Sequence, residues 1–183
     1  MKALLDTCVI YPTVMRQMLL GAASQGFFTP LWSARIIEEW QRAAIKLGPE
    51  GVAQAAGEAA LLARDWPGAQ VTWAPSLEAR LWLPDASDVH VLAAGIAGSA
   101  DVIVTLNARD FPRNILAEEG LSRADPDAFL MGFWQAEPDV MAGVAGLVLA
   151  EANRLSGLSG REWEMRGLMK KARLPRLGKA LTR

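Results

Sequence analysis

A chain of 183 residues, 51% apolar, with a net charge of −1, holds enough apolar material for one domain core plus a small appendage, and too much for a disordered polypeptide. One cysteine, Cys8, and one histidine, His90, exclude an internal disulfide framework and leave too few ligands for a classical zinc site. No apolar run reaches the ~20 residues of a membrane span, and the short run after Met1-Lys2 ends at Asp6, too early for a signal peptide, so a cytoplasmic protein with no membrane partner is expected.

Ala3-Leu4-Leu5 reads as a short buried strand ending at Asp6. Pro12 opens a helix in which Val14, Met18, Leu19 and Ala22 recur at helical spacing, and Gly26 stops it. A brief extended segment, Phe27-Phe28-Thr29-Pro30, follows. Ser33 suits the N-cap of the next helix, which carries Ile36, Ile37, Trp40 and Ala44 on one face and breaks at Gly48-Pro49. An alanine-rich helix is expected over 51–64, and a strand over 70–74 with Val71 and Trp73 on one side. Ser87 or Asp88 caps a helix running through Leu92, Ala93 and Ile96 to Gly98. Asp101-Val102-Ile103-Val104-Thr105 is a second continuous apolar strand, followed by the polar Asn107 and closed by Phe111-Pro112. This order of strand, helices, strand, helix and strand implies a parallel sheet covered by helices on both faces.

Beyond about Asp125 the pattern changes. Residues 127–134 and 138–155 are helical with no strand between them, 156–160 reads as a loop, and 161–183 holds eight basic residues against two acidic ones. Two domains are therefore expected, an α/β body over 1–125 and a helical C-terminal extension with a basic tail over 126–183. The tail's +6 leaves −7 on residues 1–160. That imbalance fits contact with nucleic acid or an acidic protein face, and equally packing on the chain's own acidic surface.

The chemistry lies in where the acids fall. Asp6 ends the first strand, Asp88 opens a helix just before the strand 101–105, and Asn107 and Asp110 lie just past that strand's end. In an open parallel sheet, ligands bind beyond the carboxyl ends of the strands where strand order reverses, so these residues can converge. Glu39 sits near the edge of the buried stripe formed by Ile36 and Trp40. Converging carboxylates raise one another's proton affinity and stay ionised together only around a cation. Their hard oxygens favour Mg²⁺ or Mn²⁺. With no catalytic-looking histidine or cysteine nucleophile, such a cluster fits metal-assisted hydrolysis better than acyl transfer. The same acids also admit a structural reading, since Asp caps helices and favours turns. Asp85 is near enough to the site to be a supporting acid, but after Pro84 it is read as a turn residue, and Cys8 as a small buried filler. His90, two residues past Asp88 and so turned away from it on a helix, is read as a structural histidine bonded to a nearby carbonyl.

Leu4-Leu5-Asp6-Thr7-Cys8-Val9-Ile10-Tyr11-Pro12 forms one motif. Trp32-Ser33 followed by Ile36-Ile37-Glu38-Glu39-Trp40 forms another. The third is Pro84-Asp85-Ala86-Ser87-Asp88-Val89-His90-Val91-Leu92-Ala93-Ala94, leading into Asp101-Val102-Ile103-Val104-Thr105-Leu106-Asn107-Ala108-Arg109-Asp110-Phe111-Pro112. In this order and spacing, over residues 3 to about 115, the chain resembles the PIN-domain superfamily, and within it the VapC-like toxin ribonucleases that carry a C-terminal helical extension.

The resemblance implies a three-layer α/β/α sandwich with a central parallel sheet, followed by C-terminal helices. It also implies Mg²⁺- or Mn²⁺-dependent endonucleolytic cleavage of RNA. By position, Asp6, Glu39 and Asp88 are its metal-holding acids, and Asn107 and Asp110 complete the catalytic set. Many family members have a fourth acid where Asn107 stands, so either Asn107 or Asp110 is the fourth site residue. Asn or Ser is more usual where Cys8 stands, and there would orient Asp6. The resemblance further implies the toxin of a type II toxin–antitoxin pair, with RNA as substrate, a cognate antitoxin protein as partner, and a homodimer. A non-catalytic PIN-like RNA-binding or regulatory module is the competing reading, to which Asn107 and the basic tail point. A nucleotide-binding regulator of another doubly wound fold lacks support, because no glycine-rich loop follows the first strand.

Overall fold

The computed structural model describes residues 1–157 and 162–182. They fall into two units, Met1–Tyr11 with Thr29–Ala124, and Pro12–Phe28 with the chain from Asp125 onward. Part of the expected loop over 156–160, with Arg161 and Arg183 of the basic segment, lies outside the described residues.

The first unit is built on a parallel sheet of five strands, β1 (Lys2–Leu5), β2 (Thr29–Ser33), β3 (Gln70–Val71), β4 (Val102–Val104) and β5 (Ser122–Ala124), in the order β3-β2-β1-β4-β5. Ala3, Leu4, Leu5, Ile103 and Val104 are fully buried, as unbroken apolar strands must be when both faces of a parallel sheet are covered. Leu4 stands in register with Leu31 on one side and Ile103 on the other. The chain builds outward from β1 to β2 and β3, then returns to β1's other side for β4 and β5. Strand order therefore reverses between β1 and β4, and the crevice of an α/β sheet opens beyond the carboxyl ends of those two strands.

Helices flank this sheet. A short turn, α1 (Thr7–Ile10), follows β1 directly. α3 (Ala34–Ala44) starts where Ser33 accepts the Ile36 N–H at 3.2 Å, and it buries Ile36, Trp40 and Ala44 at helical spacing. A 3₁₀ turn over Ile45–Leu47 leads into α4 (Gly48–Asp65), and α5 (Pro75–Ala79) follows β3. A second 3₁₀ turn, Ala86–Asp88, feeds α6 (Val89–Ala97), whose residues 89–95 are all buried. Gly98 ends α6 so close to the sheet that a Cβ would lie 2.8 Å from Leu31 and 3.0 Å from Val71. α7 (Arg113–Glu118) connects β4 to β5.

Two expectations are corrected here, and one strand is added that no expectation covered. The extended segment is Thr29–Ser33, not 27–30. Only Gln70 and Val71 of the expected strand 70–74 join the sheet, because Pro75 begins α5. The polar strand β5 carries no apolar run that would announce it.

The second unit is helical: α2 (Thr13–Ser24), α8 (Pro126–Ala136), α9 (Pro138–Ser156), α10 (Met165–Lys171) and α11 (Pro175–Ala180). The segment 12–28 groups with the C-terminal helices, an arrangement absent from the 1–125 and 126–183 reading. Gly21 of α2 lets Val144 of α9 approach to where a Cβ would stand 2.5 Å away. Phe27, Phe28, Phe129 and Phe133 form one aromatic cluster with ring centroids 4.8–5.8 Å apart. The basic segment is no loose tail. Leu168, Met169, Leu174 and Leu177 are buried, while Arg166, Lys170, Lys171, Arg173, Arg176 and Lys179 face outward. Asn153 anchors this segment by accepting the Trp163 N–H at 2.6 Å and donating to its carbonyl at 3.1 Å.

Asp127, 4% exposed, accepts the N–H groups of Arg176 and Leu177 at 2.9 and 3.0 Å and so caps α11 from α8. Asp127→Ala strands two donors at this buried contact. The expected cost is about 1–3 kcal/mol in urea-unfolding stability, the penalty for orphaned buried groups; an unchanged midpoint would show that the cap contributes nothing.

Candidate active site

The crevice beyond β1 and β4 is where the acids meet. The Asp6 N–H still pairs with Val104 O at 3.2 Å, so Asp6 leaves the sheet at a fixed point, and its side chain is only 7% exposed. Asp6 Oδ2 accepts the Thr105 hydroxyl at 2.7 Å and the Cys8 thiol at 3.0 Å. Thr105 Oγ1 in turn accepts the Asn107 N–H at 2.9 Å, and Cys8 Sγ accepts the Leu106 N–H at 3.2 Å. The loop after β4 is thereby tied to the start of α1. Burial, reinforced by the Asp6 charge, pushes the Cys8 thiol up to about 12, so it stays protonated and remains a donor. Cys8 is therefore an orienting group for Asp6 rather than a filler.

Glu39 lies on α3 with its side chain 30% exposed. Its Oε2 accepts the Thr7 hydroxyl at 2.7 Å. Its Oε1 lies 2.9 Å from His90 Nε2 and 3.7 Å from Arg35 Nε. His90 is 1% exposed, and neither ring nitrogen makes an aligned hydrogen bond, so the carbonyl partner expected from sequence is replaced by a close approach to Glu39. Burial, opposed by the Glu39 charge, holds the imidazole below its usual range. Arg35 also reaches Glu78 at 3.2 Å, and Glu78 accepts the Trp73 indole N–H at 3.0 Å. Arg35, Glu78 and Trp73 were not anticipated, although Arg35 four residues before Glu39 is a standard helix ion-pair spacing.

The third group is the most acidic. Asp85, Asp88 and Asp110 each present a carboxylate oxygen, and these oxygens lie within 4.8 Å of one another. Asp85 also serves its expected turn role, with Oδ1 accepting the Ser87 N–H at 2.8 Å and hydroxyl at 2.7 Å. An Asp-x-x-Asp pair across a 3₁₀ turn eclipses its ends, and that spacing was the available signal for Asp85. Asn107 Nδ2 donates to Asp88 Oδ2 at 3.1 Å, so the amide orients this carboxylate at a point where an acid would repel it. Desolvation raises the Asp88 carboxyl from 3.8 to about 6, helped by the charges of Asp6, Asp85, Asp110 and Glu39 in that order. All five sequence-predicted residues thus belong to one electrostatic neighbourhood. The tight trio is Asp85, Asp88 and Asp110, while Asp6 and Glu39 turn to Thr105 and Thr7.

This donor set fits a hard divalent cation. Converging carboxylate oxygens suit Mg²⁺ or Mn²⁺, and a carboxyl raised by burial and by its acidic neighbours is one that a cation would return to the ionised form.

A parallel α/β/α sheet with acids gathered at its switch point defines a class of acid-centred domains. The PIN domain family model matches residues 2–109, more than half of the chain, and the chain belongs to that family. PIN domains are in general nucleases that use divalent metals and bind RNA. The match includes Asp6, Glu39, Asp88 and Asn107 but stops one residue short of Asp110. No curated protein and no solved structure matches the chain. Among the described residues no helix is long and apolar enough to cross a membrane.

A carboxyl whose folded value exceeds its unfolded one opposes folding when ionised. For Asp88 that penalty is full above about pH 6 and fades as pH falls towards 3.8. Metal-free Asp88→Asn is therefore expected to melt higher than the parent protein at pH ~7.5 and nearly equally at pH ~4, in thermal unfolding with a chelator present. A variant that melts lower at the higher pH would contradict this electrostatic account.

Proposed function

We propose that this protein is a divalent-metal-dependent endoribonuclease and the toxin of a type II toxin–antitoxin pair, acting in the cytoplasm. The observation that carries the nuclease reading is the convergence of Asp85, Asp88 and Asp110 within 4.8 Å in a neighbourhood also charged by Asp6 and Glu39. Asp6, Asp88 and Glu39 would hold Mg²⁺ or Mn²⁺, with Asp85 and Asp110 as the acids nearest Asp88. When bound, the ion supplies Lewis acidity and lowers the pKa of a water molecule. Hydrolysis forms a bond from the water oxygen to phosphorus, passes the water's proton to Glu39 as general base, and breaks the bond to the leaving oxygen of the ribose, which takes a proton from solvent. Thr105 and Cys8 keep Asp6 from rotating, and Asn107 does the same for Asp88.

The toxin assignment rests on the VapC-like motifs and is supported by membership of the family. In this reading residues 1–125 are the nuclease and 126–183 an extension that contacts RNA or antitoxin through its outward lysines and arginines. A homodimer belongs to the same reading. The competing function, a non-catalytic RNA-binding PIN module, is favoured by the neutral Asn107 where many family members have an acid, and by the basic C-terminal segment.

Two experiments follow. Single-stranded RNA is expected to be cleaved with Mn²⁺ or Mg²⁺ and spared with chelator, and Asp6→Asn and Asp88→Asn should each lose at least about 100-fold in kcat, the scale of losing a pre-organised electrostatic group. Metal-independent cleavage, or full activity in Asp6→Asn, overturns the mechanism, while metal-dependent RNA binding without turnover selects the non-catalytic module. Replacing Lys170, Lys171 and Arg173 with alanine should flatten the log–log dependence of RNA affinity on salt by about 2, if each contacts one phosphate of a single strand. An unchanged slope would assign that face to a protein partner instead.

A further inference from the structure

Glu39 is the one sequence-predicted site residue carried on an α-helix, and the hydrogen bonds of α3 do not determine where its carboxylate points. Its two oxygens are nonetheless held from different sides. Thr7, the residue after Asp6, donates to Oε2 at 2.7 Å. His90, two residues after Asp88, brings Nε2 to 2.9 Å from Oε1. Leaving a buried imidazole with neither nitrogen bonded forfeits its solvation without return, so its placement at 1% exposure calls for a partner, and Glu39 is an acceptor within reach. The contact has the distance of a hydrogen bond but not the alignment. Bonds of this kind are often misaligned in ligand-free sites and tighten when the site fills.

We propose that His90 and Thr7 are positioning residues that clamp opposite oxygens of Glu39, tying the general base to the two segments that carry Asp6 and Asp88. This rests on the nuclease reading for its catalytic consequence, but the clamp itself is a property of the chain. His90 acts as a donor through Nε2, which carries a proton in one neutral tautomer and in the cation alike. Arg35, 3.7 Å from the same oxygen and anchored by Glu78, supplies charge without fixing direction. The clamp explains how a helix-borne acid can keep a constant relation to acids on a strand end and a 3₁₀ turn.

The test has two readouts. Because His90 is the sole histidine, the ¹⁵N spectrum of the imidazole belongs to it without assignment. The metal-free protein should show the proton on Nε2, and Glu39→Gln should displace that resonance. In RNA cleavage, His90→Leu and Thr7→Val should each lower kcat by about 10–100-fold, the usual effect of removing a group that orients a site ligand, with KM unchanged. His90→Gln and Thr7→Ser, which keep a donor, should recover most of kcat. Four results overturn the clamp: a proton on Nδ1, a resonance indifferent to Glu39→Gln, wild-type kcat in folded His90→Leu, or His90→Gln as impaired as His90→Leu while equally folded. If the parent protein cleaves no RNA, the nuclease reading falls, and the imidazole resonance still decides whether the clamp exists.

Discussion

Carboxylates from distant stretches of chain face one another beyond the ends of β1 and β4, and their mutual repulsion is the constraint around which the acid-bearing unit is arranged. Like charges held within about 5 Å of one another repel, and solvent screens that repulsion only in part where the groups are partly buried. The trio of Asp85, Asp88 and Asp110 lies in that range of separation. Nothing in folding rewards such an arrangement. The buried apolar strands supply the stability that tolerates it, and a cation is the chemical species that would relieve it. The raised Asp88 carboxyl reflects its partial burial first and this repulsion second.

Neutral donors hold these acids against that repulsion. Asp6 is satisfied by a hydroxyl and a thiol, Glu39 by a hydroxyl, and Asp88 by an amide. None of these partners carries a positive charge, so each orients its acid without cancelling the charge that a metal needs. Arg35 is the exception, and it is shared with Glu78. Cys8 shows how chemistry follows environment: beside a carboxylate and largely buried, it is kept as a thiol donor and is no nucleophile.

Much of this was legible in the chain because apolar runs and acids are local signals. β1 and β4 carry the apolar runs Ala3-Leu4-Leu5 and Val102-Ile103-Val104, and the acids follow them within a few residues. The extended segment expected over 27–30 overlaps β2 only at Thr29 and Pro30, because Leu31-Trp32-Ser33 offers no break between strand and the helix that Ser33 caps. β5 is Ser-Arg-Ala at a sheet edge and has no hydrophobic period to detect. His90 brings Nε2 to 2.9 Å from Glu39 Oε1. That partner is a residue of α3, and spacing within one helix cannot report a contact between helices. The grouping of α2 with the C-terminal helices was hidden for the same reason, since its apolar face is visible in sequence but the partner of that face is not.

The central claim is that these acids capture a divalent ion, and diffraction from crystals soaked in Mn²⁺ tests it most directly through the anomalous signal of the metal. The account predicts a peak within bonding distance of the Asp88 carboxylate and of at least one further acid among Asp6, Asp85, Asp110 and Glu39. A fully soaked crystal with no manganese at Asp88 would contradict it.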